Sequence, residues 1–355
     1  MTTFHYKAQE FDIYIGNDMD QKSYALTVRD RYTPMITKKI PANPEQLYNF
    51  MTRQFPGRRV VLGYEAGPMG FGLHDYLTQR QQTCVLISPL SIPRPSNQRV
   101  KTNRIDSFKI ATMLSDGQFK PVRVPDGPYR ELRHLTQMRE NYVRQRRTAK
   151  QRIKSLLLYT GLNERCRDVE QNWSNGYVQH LREMTCSPAV RLHLDALLTD
   201  LDYSRQQLLA TLKQLKQFFN DNSEIRQYLG YLSSIPGIGL ITGATILGRI
   251  GDPQHLKDQR ELAAFIGLVP RENSTGEQVH RGSITHLGDN ILRSLLIEAA
   301  WVAIRRDTEL GQFYHRIKNN HHALYGARKA IVAVARKMTH RIYRVLKERR
   351  EYIVR

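Results

Sequence analysis

FDIYIGNDMDQKSYALTVRD, residues 11–30, decides the fold class. It holds two β-rich runs, FDIYIG (11–16) and YALTVR (24–29), joined by a short polar link. Runs so close in sequence pair as a hairpin. RVVLGYE (59–65) and TCVLIS (83–88) are two further β-rich runs. PEQLYNFMTRQF (44–55) and MGFGLHDYLTQR (69–80) lie between the runs and carry helical spacing of apolar residues. A hairpin followed by β–α–β units is α/β architecture with a mixed sheet. Proline and glycine in FKPVRVPDGP (119–128) end this first domain, placed at residues 1–125.

Beyond that break the chain reads as helical. Tyr129 to Tyr159 is strongly basic and includes Arg144, Arg147, Lys150, Arg152 and Lys154. Residues 160–187 read as polar and irregular. A long helix follows over 188–219, with Leu194, Leu201, Leu208 and Leu215 at heptad spacing. A stripe of that length favours coiled-coil packing. Its partner is either the basic helix of the same chain, running antiparallel, or a second protomer. Residues 126–225 are thus a basic helix and coiled-coil linker, and 226–355 a mostly helical third domain. That domain contains a Gly-rich hairpin, a polar loop at 271–290 and a basic helix, ARKAIVAVARKMTHRIYRVLKERR (327–350).

The chain has 355 residues, too many for one ordinary core. Lys and Arg number 54 against 33 Asp and Glu, a net charge of +21. That excess clusters in helices and selects a polyanionic partner, nucleic acid above all. The three cysteines, Cys84, Cys166 and Cys186, show no CxxC spacing, which argues against a disulfide framework or a cysteine zinc site. MTTFHYKAQEFD lacks the apolar run of a signal peptide, and no apolar stretch is long enough to span a membrane. The chain therefore reads as cytoplasmic, with no membrane partner.

Four constellations bear on chemistry. Asp18 lies past the first strand, Glu65 ends the RVVLGYE strand, and Asp106 stands at a helix start. Acids at neighbouring strand ends can share Mg²⁺ for phosphoryl transfer, although single strand-end acids are often solvated or cap helices. In LSSIPGIGLITGATILGRIG (232–251), Gly237 and Gly239 separate two helices in the pattern of a helix–hairpin–helix. Such a turn grips a DNA backbone without reading sequence. In the loop 271–290, Ser274 and Thr275 precede Gly276, with Arg271, His280, Arg281 and Arg293 near in sequence. A hydroxyl ringed by arginines can attack a phosphodiester, though Ser-Thr-Gly alone is an ordinary turn. The basic surfaces are the 129–154 helix and the 327–350 helix, the latter with Arg336 and Lys337.

The order and wording of these motifs resemble the IS110-type insertion-sequence transposases. IGNDMD resembles their G-x-D opening, and YEAG their second acidic block. RVKTNRIDSFKIATML with FKPVRVPDGPYRELRHL resembles the third. SSIPGIGLITGATIL and AAFIGLVPRENSTGEQVHRGSITHLGDNILRSLLIEAAW resemble their C-terminal region. The resemblance implies a RuvC-like, RNase H-like domain with a D-E-D-D tetrad holding metal, and a C-terminal domain with a serine nucleophile beyond a coiled coil. It also implies dimers that become tetramers on DNA, an element-encoded guide RNA, and residence at the nucleoid of a bacterial or archaeal cell. By motif, Asp18, Glu65 and Asp106 take the first, second and fourth acidic places. Asn103 stands in the third, with one less negative charge for Mg²⁺. The serine's place before the glycine is held by Thr275, with Ser274 one residue earlier. The expected activity is cutting and rejoining of DNA through a hydroxyl nucleophile. The alternatives are a DNA- or RNA-binding relative with impaired catalysis and a RuvC-like metal-dependent nuclease.

Overall fold

The computed structural model describes residues 6–92, 103–166, 172–275, 278–285, 287–320 and 323–354. At 90, 103, 104, 271–275, 278–281, 323 and 324 it describes the backbone only. The chain divides into two compact units, Met1–Val124 and Pro125–Arg355.

The first unit is a six-stranded mixed sheet flanked by helices. β1 (Ile13–Met19), β2 (Ser23–Arg29) and β3 (Pro34–Pro41) form an antiparallel meander. α1 (Pro44–Gln54), β4 (Val60–Glu65), α2 (Gly72–Gln79) and β5 (Thr83–Ile87) follow. The unit closes with α3 (Asn103–Asp116) and the two-residue β6 (Pro121–Val122). β4 lies parallel to β1 and β5 parallel to β4, and the sheet order is β3-β2-β1-β4-β5-β6. This mixed sheet accords with the RuvC-like domain that the resemblance implies. The four strands read from the sequence are all present. β3 is an addition: PMITKKIP is an edge strand with mostly exposed side chains, so it carries no apolar alternation to announce it.

Strand alternation sorts the side chains into two layers. Ile13 and Ile15 of β1 and Leu62 of β4 face α1 and α2, where Leu47, Met51, Leu73 and Leu77 cover them. Tyr14, Val61, Val85 and Ile87 face the other way, against Ile110, Met113 and Leu114 of α3. α1 starts where Asn43 accepts the N–H groups of Glu45 and Gln46, with Pro44 at its first position. α3 owes its closeness to two paired glycines, Gly16 of β1 and Gly63 of β4. A Cβ on Gly16 would stand 2.1 Å from the Ser107 carbonyl oxygen and 2.4 Å from the Ala111 nitrogen. One on Gly63 would stand 2.9 Å from Leu114. Opposite Gly16, Thr27 hydrogen-bonds Ser107 at 2.9 Å between buried hydroxyls.

The second unit begins with α4 (Gly127–Tyr159), α5 (Asn175–Glu183) and α6 (Pro188–Asp221). Ala149, Ile153 and Leu157 of α4 share one cluster with Leu194, Leu197, Leu198 and Leu201 of α6. Tyr129 and Leu132 share another with Leu215, Phe218 and Phe219. The basic helix is therefore an antiparallel partner of the leucine-striped helix within one chain. α5 corrects the reading of 160–187 as irregular. Its buried Tyr177, Val178 and Leu181 cap one end of the helix pair.

The remaining elements are α7 (Ser223–Ser233), α8 (Leu240–Ile250), α9 (Gln259–Ile266), the hairpin of β7 (Pro270–Thr275) and β8 (Gln278–Ile284), α10 (Asn290–Arg306), α11 (Thr308–Asn319) and α12 (Ala323–Glu348). The hairpin replaces the polar loop expected over 271–290. α12 runs through the centre of this core, burying Ala330, Val334, Met338, Ile342, Val345 and Leu346. Its basic residues other than the buried Arg341 thus occupy the outer side of an amphipathic helix.

Asp307 ties this core together. It caps α11 by accepting the Leu310 N–H at 3.0 Å, accepts the Tyr352 hydroxyl at 2.8 Å, and pairs with Arg341. Burial pushes its carboxyl up, but the donors from Leu310, Tyr352 and Arg341 outweigh burial and hold it below its usual value.

Gly16→Ala should lower stability by about 3 kcal/mol or more in urea unfolding of the full chain, because α3 must move off the strand. At the next residue the sign reverses. Asn17 is fully buried, and neither its amide oxygen nor its nitrogen has a hydrogen-bond partner among the described residues. Asn17→Val should raise stability by about 1–3 kcal/mol. An unchanged or lower midpoint would mean that the amide is satisfied. Asp307→Ala should cost about 3 kcal/mol by leaving the buried Arg341 with only the half-exposed Glu309, 3.0 Å from its Nη2, as a counter-charge. Since the folded carboxyl titrates below the unfolded one, the Asp307 contribution is complete above the unfolded value, about 3.9. It is lost as pH falls through the lower folded value. A stability profile of Asp307→Ala running parallel to the wild type across that window would refute the assignment.

Candidate active site and nucleic-acid surface

The acidic residues lie where the sheet meets α3. β1 and β4 run in parallel register to the Asn17–Tyr64 pair, and Asp18 and Glu65 are the next residue on each strand. Alternation puts Asp18 on the side of Gly16 and Glu65 on the side of Gly63, the face that α3 covers. Neighbouring strands are roughly 4.8 Å apart, so the two acids are adjacent. Both already engage neighbouring groups. Asp106 sits in the first turn of α3, one residue before the Ser107 carbonyl that crosses Gly16. Its carboxylate is 20% exposed and pairs with Lys109 at 3.5 Å. The side chain of Asn103 lies outside the described residues.

As folded, these acids do not close into a cage. Among the described residues no group of three or more His, Cys, Asp and Glu side chains is placed to hold a metal ion. Two adjacent carboxylates nevertheless suit a divalent ion of the Mg²⁺ type, which commonly takes one or two carboxylates and fills its shell with water and substrate phosphate.

The hydroxyl pair lies on the β7–β8 hairpin in the second unit. Ser274 pairs in register with Val279, and Thr275 with Gln278, so both stand at the closing end of the hairpin. Their side chains, like those of Arg271, His280 and Arg281, lie outside the described residues. The foot of the hairpin is built closely. The Thr285 N–H bonds the Val269 carbonyl at 3.0 Å, and the Asp289 N–H bonds the Phe265 carbonyl at 2.9 Å. Gly267 and Gly288 cross there, both with positive φ. A Cβ on Gly267 would stand 2.0 Å from the Leu287 oxygen, and one on Gly288 2.6 Å from the Phe265 oxygen. Arg293 donates to the Ile266 carbonyl at 3.2 Å and so braces this crossing.

In the glycine-rich turn, α7 and α8 are joined through residues 234–239. Gly237 has φ +90, and a Cβ there would stand 2.2 Å from the Ala299 oxygen of α10, so its bare side is filled by protein. Gly239 is exposed and open, and it leads into α8 with no side-chain cap. Of the basic residues, Arg144, Arg147, Arg152, Lys154 and Arg336 are exposed. Lys150 lies 5.2 Å from the Trp173 ring centre, and burial, then Arg146, pulls its ammonium below the usual value. Lys337 is committed to Glu309 and to the face of Phe313.

Comparison with known proteins follows the same two blocks. The IS110-type DEDD transposase model matches residues 15–161, and a model described as the transposase IS116/IS110/IS902 family matches residues 229–315. The chain belongs to the IS110 family of transposases. A Sinorhizobium fredii protein assigned as a transposase is 32% identical over 243 residues, covering 68% of this chain and 58% of that protein. The transposase for insertion sequence element IS1111A of Coxiella burnetii is 27% identical, covering 62% and 59%. The chain thus spans somewhat under two thirds of the length of these two relatives. The pilin gene-inverting protein of Moraxella bovis is 30% identical over 39% of this chain and 43% of its own length. Among the described residues, no helix of this family member is long and apolar enough to cross a membrane.

The motif reading overlooked the supports of the site. Gly267, Gly288, Arg249 and Asp289 had no role in it, and Arg133 stood only as one residue of the basic 129–154 helix. Only a glycine bracketing each end of a polar loop hinted at the crossing. Gly288→Ala should separate that crossing and lower stability by about 2 kcal/mol or more, since its φ is +107 and its neighbours are backbone. Amide exchange should accelerate at Asp289 and Thr285, and unchanged protection at both would show that the crossing is not needed.

Proposed function

We propose that this chain is a DNA recombinase of an insertion sequence, cutting and rejoining strands through a hydroxyl of the β7–β8 hairpin. The observation that carries this reading is the joint presence of an acidic strand-end pair, Asp18 and Glu65, and a second, separately folded hydroxyl hairpin braced by Arg293 and glycine crossings. A metal-only nuclease has no use for the second element.

In this reading the hydroxyl of Ser274 or Thr275 attacks a DNA phosphorus. The new oxygen–phosphorus bond forms as the bond to the neighbouring deoxyribose oxygen breaks, and that oxygen leaves as a hydroxyl with a proton. A hydroxyl of another strand then reverses the step and frees the enzyme. Arg271 and Arg281 neutralise charge on the phosphoryl oxygens. Asp18, Glu65 and Asp106, with the Asn103 carbonyl, are the residues that would hold a divalent ion of the Mg²⁺ type. Such an ion supplies charge neutralisation at a phosphate when bound. Arg144, Arg147, Arg152, Lys154 and Arg336 meet DNA or guide-RNA phosphates, and Lys150 presents a desolvated charge beside them. Gly239 and the start of α8 fit the backbone-gripping end of a helix–hairpin–helix. An element-encoded RNA chooses the DNA, and protomers join as dimers and tetramers on it. A binding-only relative is the second reading, favoured by Asn103, by Thr275 and by the want of a three-ligand cluster among the described residues.

Full-length protein incubated with Mg²⁺, RNA transcribed from its flanking element and junction DNA should give a denaturation-resistant protein–DNA adduct. Mass spectrometry should map it to residue 274 or 275, and the matching Ser274→Ala or Thr275→Ala change should abolish it. Asp18→Asn or Glu65→Gln should lower adduct yield roughly a hundredfold, the scale of losing one transition-state stabilising group. Cleavage with no adduct would replace this reading with the metal-only nuclease. Bound DNA with neither product would leave the binding-only relative.

A further inference from the structure

Two arginines at the foot of the hydroxyl hairpin carry more positive charge than their surroundings balance. Arg249, near the end of α8, forms an ion pair through Nη1 with Asp289 at 3.1 Å and donates from Nη2 to Gln137 at 3.3 Å. Its Nε is buried and has no hydrogen-bond partner among the described residues, and its side chain is 12% exposed. Arg133 of α4 is half-buried, and its guanidinium makes no hydrogen bond or ion pair with any described residue. The helices cross in backbone contact beside them: a Cβ on Gly248 would stand 3.0 Å from the Arg133 nitrogen. That crossing fixes both arginine stems on neighbouring positions. The carboxylate between them, Asp289, is partly spent as the cap of α10, accepting from the Ile291 and Leu292 N–H groups at 3.0 Å each.

We propose that Arg133 and Arg249 form a binding site for one DNA phosphodiester, placed beside the hairpin that carries Ser274 and Thr275. The charge balance sets the ligand. Two guanidinium groups and one engaged carboxylate leave about one positive charge, and a phosphodiester brings one negative charge and two free oxygens. The guanidinium fork matches those oxygens. The amino end of α10 adds a favourable dipole. Burial, followed by repulsion from Arg249, lowers the Arg133 pKa from its usual value against a smaller opposing pull from Asp289. Asp289 also ties the site to the hairpin, because its N–H bonds Phe265 at the glycine crossing. The assignment to DNA rests on the recombinase reading above, whereas the anion site rests on the arginine geometry.

The test uses the full chain, a fluorescein-labelled mixed-sequence duplex and a salt series read by anisotropy. Arg133→Gln should weaken binding roughly tenfold, the scale of one charged hydrogen bond. The slope of log affinity against log salt should fall by about one phosphate contact, with melting temperature unchanged. Asp289→Asn keeps a capping side chain and removes the counter-charge, so it should tighten binding and steepen the slope. Slopes unchanged in both variants, with melting temperature lowered, would reduce the cluster to a structural brace and overturn the proposal. Inorganic phosphate that raises the wild-type melting temperature but not that of Arg133→Gln, with an unchanged DNA slope, would make this a free-anion site and overturn the DNA assignment. Affinity and slope need no strand cutting. A wild-type protein that forms no adduct therefore rejects the recombinase chemistry without deciding this test.

Discussion

A helix can rest its backbone on the middle of a β-strand only where the strand offers no side chain. Gly16 and Gly63, paired on neighbouring strands, make that space for α3, and Thr27 fastens the helix there through Ser107. Much of the first unit follows from this contact. The face of β1 and β4 that carries the glycines also carries Asp18 and Glu65, one alternation further on. Bringing α3 down on the glycines therefore brings Asp106 to the same face as the two strand-end acids. The glycine before an acid is thus a packing requirement that places the acid relative to a helix distant in sequence.

The second unit meets a similar constraint with a different device. Gly237, Gly267 and Gly288 each turn their bare side to a carbonyl oxygen of a neighbouring segment. At these positions positive φ and close approach coincide, so turns and contacts are fixed together. The result is a hairpin with a rigid foot, braced by Arg293 and by the cap residue Asp289. Electrostatics divides likewise. The exposed basic residues of α4 and α12 set the long-range field, while Lys337 and Arg293 are spent on a carboxylate and a carbonyl. A count of Lys and Arg treats these groups alike, but the folded chain does not.

The strands at 11–16, 24–29, 59–65 and 83–88 were legible because their apolar residues face two buried layers. β3 was not, since an edge strand with exposed lysines lacks that signature. α5 was hidden because its few buried residues sit in a polar stretch, and β7–β8 because PRENSTGEQVHRG carries no apolar alternation. The acids could be picked out as strand-end residues, and Asp18 and Glu65 do stand side by side. Their relation to Asp106 could not be read, because it depends on where α3 lands. The functional reading of Gly237 as a phosphate contact came from a motif alone. Its bare side lies against α10, a long-range contact with no local trace.

The α4–α6 pair is tied at its two ends by separate apolar clusters. Midway along α6 the buried side chains facing its partner include Ser204 and Thr211, which bond carbonyls of their own helix at 2.7 Å. Those hydroxyls satisfy themselves locally and add little interhelical cohesion. In mechanical terms the helix pair is a beam clamped at its ends by apolar packing, with the edge-to-face contact of Tyr142 and Tyr203 bridging its middle. The clamp at the α5 end shares no buried side chain with the core around α12, so the helix pair is a lever whose two ends are anchored independently of each other.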